Sequence, residues 1–328
     1  MDVRIPPKLR TGDTVRVVAP SCSLAMISPG VRAIADYRLR ALGLEVSFGK
    51  HVEESDQFTS SPVESRVEDL HEALADPDVA GILTAIGGYN SNQLLRRLDW
   101  DLISRNPKAL CGFSDITALG NAILAKTGIV TYSGPHYSTF GQKRHAEYTV
   151  EYFVACLMSG APSTVRPSPF WTDDAWYLGQ DNRILEPGEG YLVIHEGEAE
   201  GKIVGGNLST LNLLQGTEFL PNLAGSILFL EDDFESQPHT FDRDLQSFLQ
   251  LPGFAGVQAL VIGRFQRESH MTDDVLRTII ATKPELARLP VIANVDFGHT
   301  DPRITFPVGG TARITASGTG TQIEILVH

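Results

Sequence analysis

The amino-acid sequence predicts an α/β fold: an N-terminal parallel-sheet domain followed by a β-rich C-terminal domain. Three observations carry that expectation. In the first half of the chain, short β-branched runs alternate with amphipathic helical patterns, the signature of a parallel sheet with helices on both faces. Past residue 190 the period changes and short strands dominate. Finally, 328 residues are too many for one small domain, at roughly 100–200 residues each. The boundaries read as 1–165 for the α/β domain, 166–190 for a connecting loop and 191–328 for the β-rich domain.

Residues 14–19 (TVRVVA) are β-branched and extended. Ser28-Pro29-Gly30 opens a helix to about Leu42, with proline suited to the first helical position. Residues 45–48 read as a second strand. Ser61 and Glu64 have the spacing of a capping box, so a helix is expected from there to about Ala75. Residues 81–85 (GILTA) are a third strand, broken by Gly87-Gly88, with a helix expected through Leu98. A fourth strand at 110–113, a helix through Lys126, a fifth strand at 129–132 and a helix near 147–158 complete this half. Residues 159–190, rich in Pro, Gly, Asp and Trp, have no clear period, and connections of that length are usually functional or disordered. Strands are then expected at 191–195, 202–204, 226–230, 258–262, 291–293, 304–306, 312–315 and 322–326. Helices are expected near 209–214, 240–249 and 274–282.

Apolar residues make up 42% and charged residues 20%, which sets aside disordered and fibrous classes. The net charge of −13 argues against polymeric nucleic acid or an anionic membrane as partner, since both need clustered positive charge. A small anionic ligand remains compatible with it. Cys22, Cys111 and Cys156 are too few and too scattered for a disulfide framework or a zinc set, and read as buried small side chains. With no signal-like apolar stretch and no 18-residue apolar run, a cytoplasmic protein without a membrane span is expected.

In parallel sheets ligands collect beyond the carboxyl ends of the strands. Gly112-Phe113-Ser114-Asp115 places a serine there, between an apolar strand and an apolar helix, in the context of a nucleophile elbow. The N–H groups that follow can stabilise an oxyanion. Position 116 is Ile rather than the Gly of GxSxG, and Ser114 also fits a helix N-cap. Gly87-Gly88-Tyr89-Asn90-Ser91-Asn92 can present backbone N–H groups to a phosphate or serve as a tight turn, and Gly205-Gly206-Asn207 offers the same two readings. A serine nucleophile needs a histidine base and a carboxylate to orient it. Among nine histidines, His299 lies in a Gly/Pro-bounded loop after an apolar strand, and His136 follows Ser133-Gly134-Pro135 at the end of another. Glu231 ends the run SILFL. Asp232, Asp233 and Glu235 follow it as an acidic cluster without calcium-loop spacing, read as a solvated turn or a divalent-ion site.

Further motifs share this order and spacing: Leu9-Arg10-Thr11-Gly12-Asp13, Val17-Val18-Ala19-Pro20-Ser21, Asn92-Gln93-Leu94-Leu95, Phe229-Leu230-Glu231-Asp232 and Gly298-His299 with Pro302 and Pro307. Together they resemble the LD-carboxypeptidase and microcin C immunity family of serine peptidases, nearly end to end. The resemblance implies a catalytic triad of Ser114, Glu231 and His299, and an oxyanion hole from the N–H groups of Asp115 and Gly88. It also implies a homodimer acting on a small-molecule substrate, with no cofactor and no metal. One branch of the family trims terminal D-alanine from murein tetrapeptides. The immunity branch cleaves the bond between an aminoacyl or peptidyl group and a modified nucleotide.

Residues 168–190, with Trp171, Thr172, Asp173, Asp174 and Trp176, look like the extended loop of the immunity branch. Trp171 and Trp176 are therefore expected either to stack on a base or to pack between domains. Gly87, Tyr89 and Asn90 are expected to line the substrate site. The expected function is a serine peptidase or amidase that inactivates a peptidyl-nucleotide toxin. The alternatives are an LD-carboxypeptidase and a non-catalytic small-ligand binding protein.

Overall fold

Two sheets, of six and eight strands, account for the architecture of the computed structural model, which describes residues 2–318 and 320–328. In the first, β1 (Thr14–Val18), β2 (Glu45–Phe48), β3 (Val79–Thr84), β4 (Ala109–Gly112) and β5 (Thr131–Ser133) run parallel in the order β5-β4-β3-β1-β2. The central strands are continuous apolar runs because helices cover both faces, and Ile82, Leu83, Leu110 and Cys111 are all buried. The accompanying helices are α1 (Pro29–Ala41), α2 (Val63–Ala75), α3 (Trp100–Arg105), α4 (Ile116–Thr127) and α5 (Glu147–Leu157).

The second sheet has at its centre four parallel strands, β10 (Gly197–Asn207), β11 (Ser226–Glu231), β12 (Ala259–Gly263) and β13 (Val291–Val295). Helices α6 (Leu208–Asn212), α7 (Pro238–Leu249) and α8 (Asp273–Ala281) lie in their connections. Antiparallel strands flank this centre. They are β9 (Leu192–His195) on one side, and β15 (Thr311–Ala316), β16 (Gln322–Val327) and β6 (Ser163–Val165) on the other. A two-stranded ribbon, β7 (Phe170–Trp171) with β8 (Glu186–Pro187), stands apart.

The chain crosses between the sheets. Strand β14 (Phe306–Val308), late in sequence, pairs antiparallel with β5 of the first sheet, while β6 from the first half of the chain edges the second. The sheets also share a core that includes Leu119 of α4, Ile203 of β10, Phe229 of β11 and Phe306 of β14. At their seam, Asn121 Nδ2 donates to the Gly205 carbonyl (2.9 Å) and the Asn207 N–H donates to Thr117 Oγ1 (2.9 Å). No helix is long and apolar enough to cross a membrane among the described residues.

Three local expectations are corrected. The helix expected after Gly87-Gly88 is only a 3-10 turn (Ser91–Leu94), because the Asn90 and Ser91 N–H groups turn away to the Asp115 carboxylate; α3 then starts afresh at an Asp99 cap. Ser61 does not cap α2, whose cap position is Pro62 with no side-chain hydrogen bond. The strand placed at 304–306 forms at Phe306–Val308 and joins the first sheet.

Gly205 has φ +147°, and a Cβ there would collide with the Phe229 carbonyl oxygen. Gly205→Ala is therefore expected to lower stability by at least about 3 kcal/mol in urea denaturation. Gly160→Ala, which meets no heavy atom within 4 Å, should stay within about 0.5 kcal/mol of the parent.

Candidate active site

The turn from β4 to α4 is three residues, Phe113-Ser114-Asp115. Ser114 has φ +59°, a left-handed conformation that non-glycine residues rarely adopt and that concentrates at functional turns. The helix-cap reading of Ser114 is not realised, since Asp115 occupies the cap position of α4. Gly87 packs tightly on the serine: a Cβ there would lie 3.1 Å from Ser114 Cβ and 3.2 Å from its Oγ, closer than most Cβ contacts.

Across the seam, Ser114 Oγ lies 3.0 Å from His299 Nε2, and His299 Nδ1 lies 2.7 Å from Glu231 Oε2. Glu231 is the last residue of β11 and is 3% exposed; His299 lies on the loop after β13. Gly298, at φ +96°, leaves the room that the Glu231 carboxylate fills. With Nδ1 facing a carboxylate, that nitrogen carries the proton and donates, and Nε2 accepts from the serine hydroxyl. Burial pushes the His299 pKa down, but the charge and hydrogen bond of Glu231 outweigh it, and the net direction is upward. His136 is held well below its ordinary value by burial and by the charges of Arg303 and His299. It stacks on Phe113 at 4.4 Å between ring centres, and its Nδ1 lies 2.6 Å from Thr84 Oγ1.

The N–H groups of Gly88 and Asp115 have no acceptor among the described residues. The Asp115 side chain is buried and accepts from Ser21 Oγ (2.5 Å), the Asn90 N–H (3.0 Å) and the Ser91 N–H (2.8 Å). Arg66, also buried, donates to Asn90 Oδ1 (2.9 Å) and to the Asn90 and Pro20 carbonyls.

Of the residues expected at the substrate, Gly87, Gly88 and Trp176 line the cleft beside Ser114 and His299. Asn90 does not, because its N–H and side chain are already engaged by Asp115 and Arg66. Tyr89 projects to the surface, its hydroxyl donating to the Phe58 carbonyl. Trp171 lies outside the cleft, within cation–π range of Arg264 (5.2 Å) and Arg267 (5.6 Å). In the acidic cluster, Asp232 is buried rather than solvated. Burial, then Glu231 and Asp233, push its pKa up to about 7, while Asn207 Nδ2 (3.0 Å) and Ser209 Oγ (3.1 Å) donate to it. No group of three or more metal-binding side chains occurs among the described residues.

The long loop is tied down at many points. Thr172 exchanges two backbone hydrogen bonds with Asp301, and Arg267 binds Asp173 and Glu186. Gln180 Nε2 donates to the Gly141 carbonyl (3.0 Å), and Arg183 donates to Asp301 and Gln142. Sequence reasoning missed Arg183, Asp301 and Arg303, along with the tie made by the Asp115 side chain. The only sequence signal for any of them is proximity to Ser114 or His299, and Arg183 lies 118 positions from Asp301.

A left-handed serine facing a histidine–carboxylate pair is the arrangement of a serine hydrolase, and the chain is one, of the carboxypeptidase and amidase type. It belongs to the LD-carboxypeptidase family, whose N-terminal domain model matches residues 15–134 and whose C-terminal domain model matches residues 200–314. It is 53% identical over 321 residues to YocD of Bacillus subtilis (strain 168), a protein that carries the name carboxypeptidase, covering 98% of this chain and 99% of that one. The crystal structure of an MccF-like protein from Bacillus anthracis superposes with a TM-score of 0.98 at 54% identity, covering 99% of this chain and all of that one. The microcin C7 self-immunity protein MccF, solved with aspartyl sulfamoyl adenosine, superposes at 0.85 with 30% identity, covering 98% of each chain.

The raised His299 pKa is testable without a substrate. In an NMR titration the imidazole is expected to titrate above the ordinary 6.5. In Glu231→Gln the upward contributions of that carboxylate vanish while burial and Arg303 remain, so the pKa should fall. A titration indifferent to the substitution would contradict the pairing.

Proposed function

We propose that this protein is a serine amidase of the immunity-like branch, hydrolysing the amide-type bond between an aminoacyl or peptidyl group and a modified nucleotide. The observation that carries the reading is Trp176, placed by its anchored loop on the wall of the cleft that contains Ser114 and His299. An indole there offers a stacking face for a nucleobase. The complex of MccF with aspartyl sulfamoyl adenosine supports the same substrate class.

In the proposed reaction, Ser114 Oγ attacks the carbonyl carbon as its proton passes to His299 Nε2. Glu231 holds the imidazole tautomer and stabilises the imidazolium. The N–H groups of Gly88 and Asp115 receive the oxyanion; one such donor is typically worth about 3–4 kcal/mol in the transition state. The tetrahedral intermediate collapses, the C–N bond breaks, and the leaving nitrogen takes the proton from His299. Water, deprotonated by the same histidine, then cleaves the acyl ester and frees Ser114.

A second reading, release of terminal D-alanine from a murein tetrapeptide, is supported by the description of the matching family domains. One comparison separates the two: kcat/KM for aspartyl sulfamoyl adenosine against that for a murein tetrapeptide. Turnover of the tetrapeptide alone would overturn the immunity-like assignment. Ser114→Ala is expected to lose about 10³-fold or more in kcat; wild-type rates from that variant would overturn the mechanism.

Trp176→Ala is expected to raise KM for the nucleotide substrate about 5- to 100-fold through lost stacking, and an unchanged KM would remove that role. Since side chains and backbone N–H groups carry every step, EDTA should leave activity intact. Loss restored by a divalent ion would refute that.

A further inference from the structure

We propose that Arg303 forms an anion subsite on the floor of the cleft, taking a carboxylate of the substrate beside the bond that Ser114 attacks. The proposal rests on the reading of this cleft as an amide-hydrolysing site.

A charge imbalance is built into the cleft floor. The Asp301 carboxylate is shared by two guanidiniums: Arg183 Nη2 donates to Oδ2 (2.9 Å) and Arg303 Nη2 donates to Oδ1 (2.7 Å). Its third partner, Gln142 Nε2 (2.9 Å), is neutral. The side chains of Arg183, Asp301 and Arg303 are 3%, 5% and 6% exposed, so water screens none of them well. Two cations on one anion leave a surplus positive charge where an unpaired charge is costly.

The surplus faces the cleft through Arg303. Arg183 spends both terminal nitrogens, on Gln142 and Asp301, and is not part of the cleft wall. Arg303 spends only Nη2. Its Nε is buried without a partner, and its Nη1 has no acceptor among the described residues. Its guanidinium carbon lies 4.3 Å from the ring centre of Phe113, the residue before the nucleophile, so stacking and the Asp301 bond fix its orientation. A guanidinium held this way suits planar, two-point recognition of a carboxylate.

Arg303 is the one lysine or arginine lining the cleft among the described residues. Apart from the histidines, the other titratable side chains of Asp, Glu, Lys or Arg type there are acidic: Asp173, Asp174, Asp233 and Glu268, besides Asp301 itself. Asp173 is engaged by Arg267. Attraction beside Ser114 and repulsion elsewhere would turn a substrate carboxylate inward towards Arg303.

Two parts of a substrate can supply that carboxylate: the acidic side chain of the acyl residue, or the terminal carboxylate of the leaving residue. Two matched pairs separate them. One is aspartyl against asparaginyl sulfamoyl adenosine; the other is a murein tetrapeptide against its C-terminal amide. Wild type is expected to favour the carboxylate member of one pair by about 10- to 100-fold in kcat/KM. Arg303→Met should abolish that preference by slowing only the carboxylate member. Arg303→Lys should retain part of it, as a point charge without the fork.

Fluorophosphonate labelling of Ser114 at the wild-type rate is the check that each variant keeps an intact elbow. No preference in either pair for wild type, or equal losses on both members in Arg303→Met, would overturn the subsite. Failure of the amidase reading has a different signature, which is no turnover of any of the four compounds. The same discrimination is then read as binding to wild type by calorimetry, where its presence supports the subsite and its absence overturns it.

Discussion

The catalytic end of the first sheet depends on one buried carboxylate. Asp115 follows Ser114 directly, and its side chain receives the Ser21 hydroxyl and the N–H groups of Asn90 and Ser91. Ser21 lies beyond β1, Asn90 and Ser91 beyond β3, and Asp115 beyond β4. A single acceptor therefore draws three strand-to-helix turns together at the carboxyl edge of the sheet, where such folds bind ligands. This tie sets the Gly87-Gly88 loop against Ser114 closely enough that a side chain at residue 87 would crowd the serine. Arg66 buttresses the same loop from behind through Asn90.

The second half of the site depends on how the sheets meet. Asn207 is in register with Glu231 across β10 and β11, and its N–H binds Thr117 of α4, the helix that starts just after Ser114. The seam thus links the serine to the glutamate through a few bonds of fixed length. Close approach requires glycine at 206, where a Cβ would strike Thr117, and at 298, where it would strike the Glu231 carboxylate. The strand exchange by β6 and β14 interlocks the two sheets further.

Much of this was legible in sequence, and physics explains which part. Patterning puts Ser114 and Glu231 where apolar strands end and His299 in the loop after another, but leaves each open to a cap, a turn or a surface loop; the family resemblance is what singles out the three together. The alternation of strands and helices was readable from the patterning itself. What failed were local rules overridden by distant partners. The Ser61 capping box and the helix after Gly87-Gly88 are sound local readings, but the second loses its first N–H groups to Asp115. Trp171 and Trp176 look alike in sequence. Only the fold shows that one lies against Arg264 and Arg267 while the other reaches the cleft. The Arg183–Asp301 pair has no local pattern at all, because its members meet only through the long loop.

The charge of the whole chain does not describe the one cationic side chain that lines the cleft among the described residues. A net −13 describes the solvated surface, where each charge is screened over about 8–10 Å at physiological salt. The neighbourhood of His299 is governed instead by buried groups. Glu231 and Asp233 raise its proton affinity, while burial and Arg303 lower it. The net direction is upward, so the carboxylates outweigh burial and Arg303. Removing Glu231 would tip the balance towards a weaker base. An acidic chain and a buried guanidinium in its cleft are therefore compatible, because burial rather than net charge sets the local field.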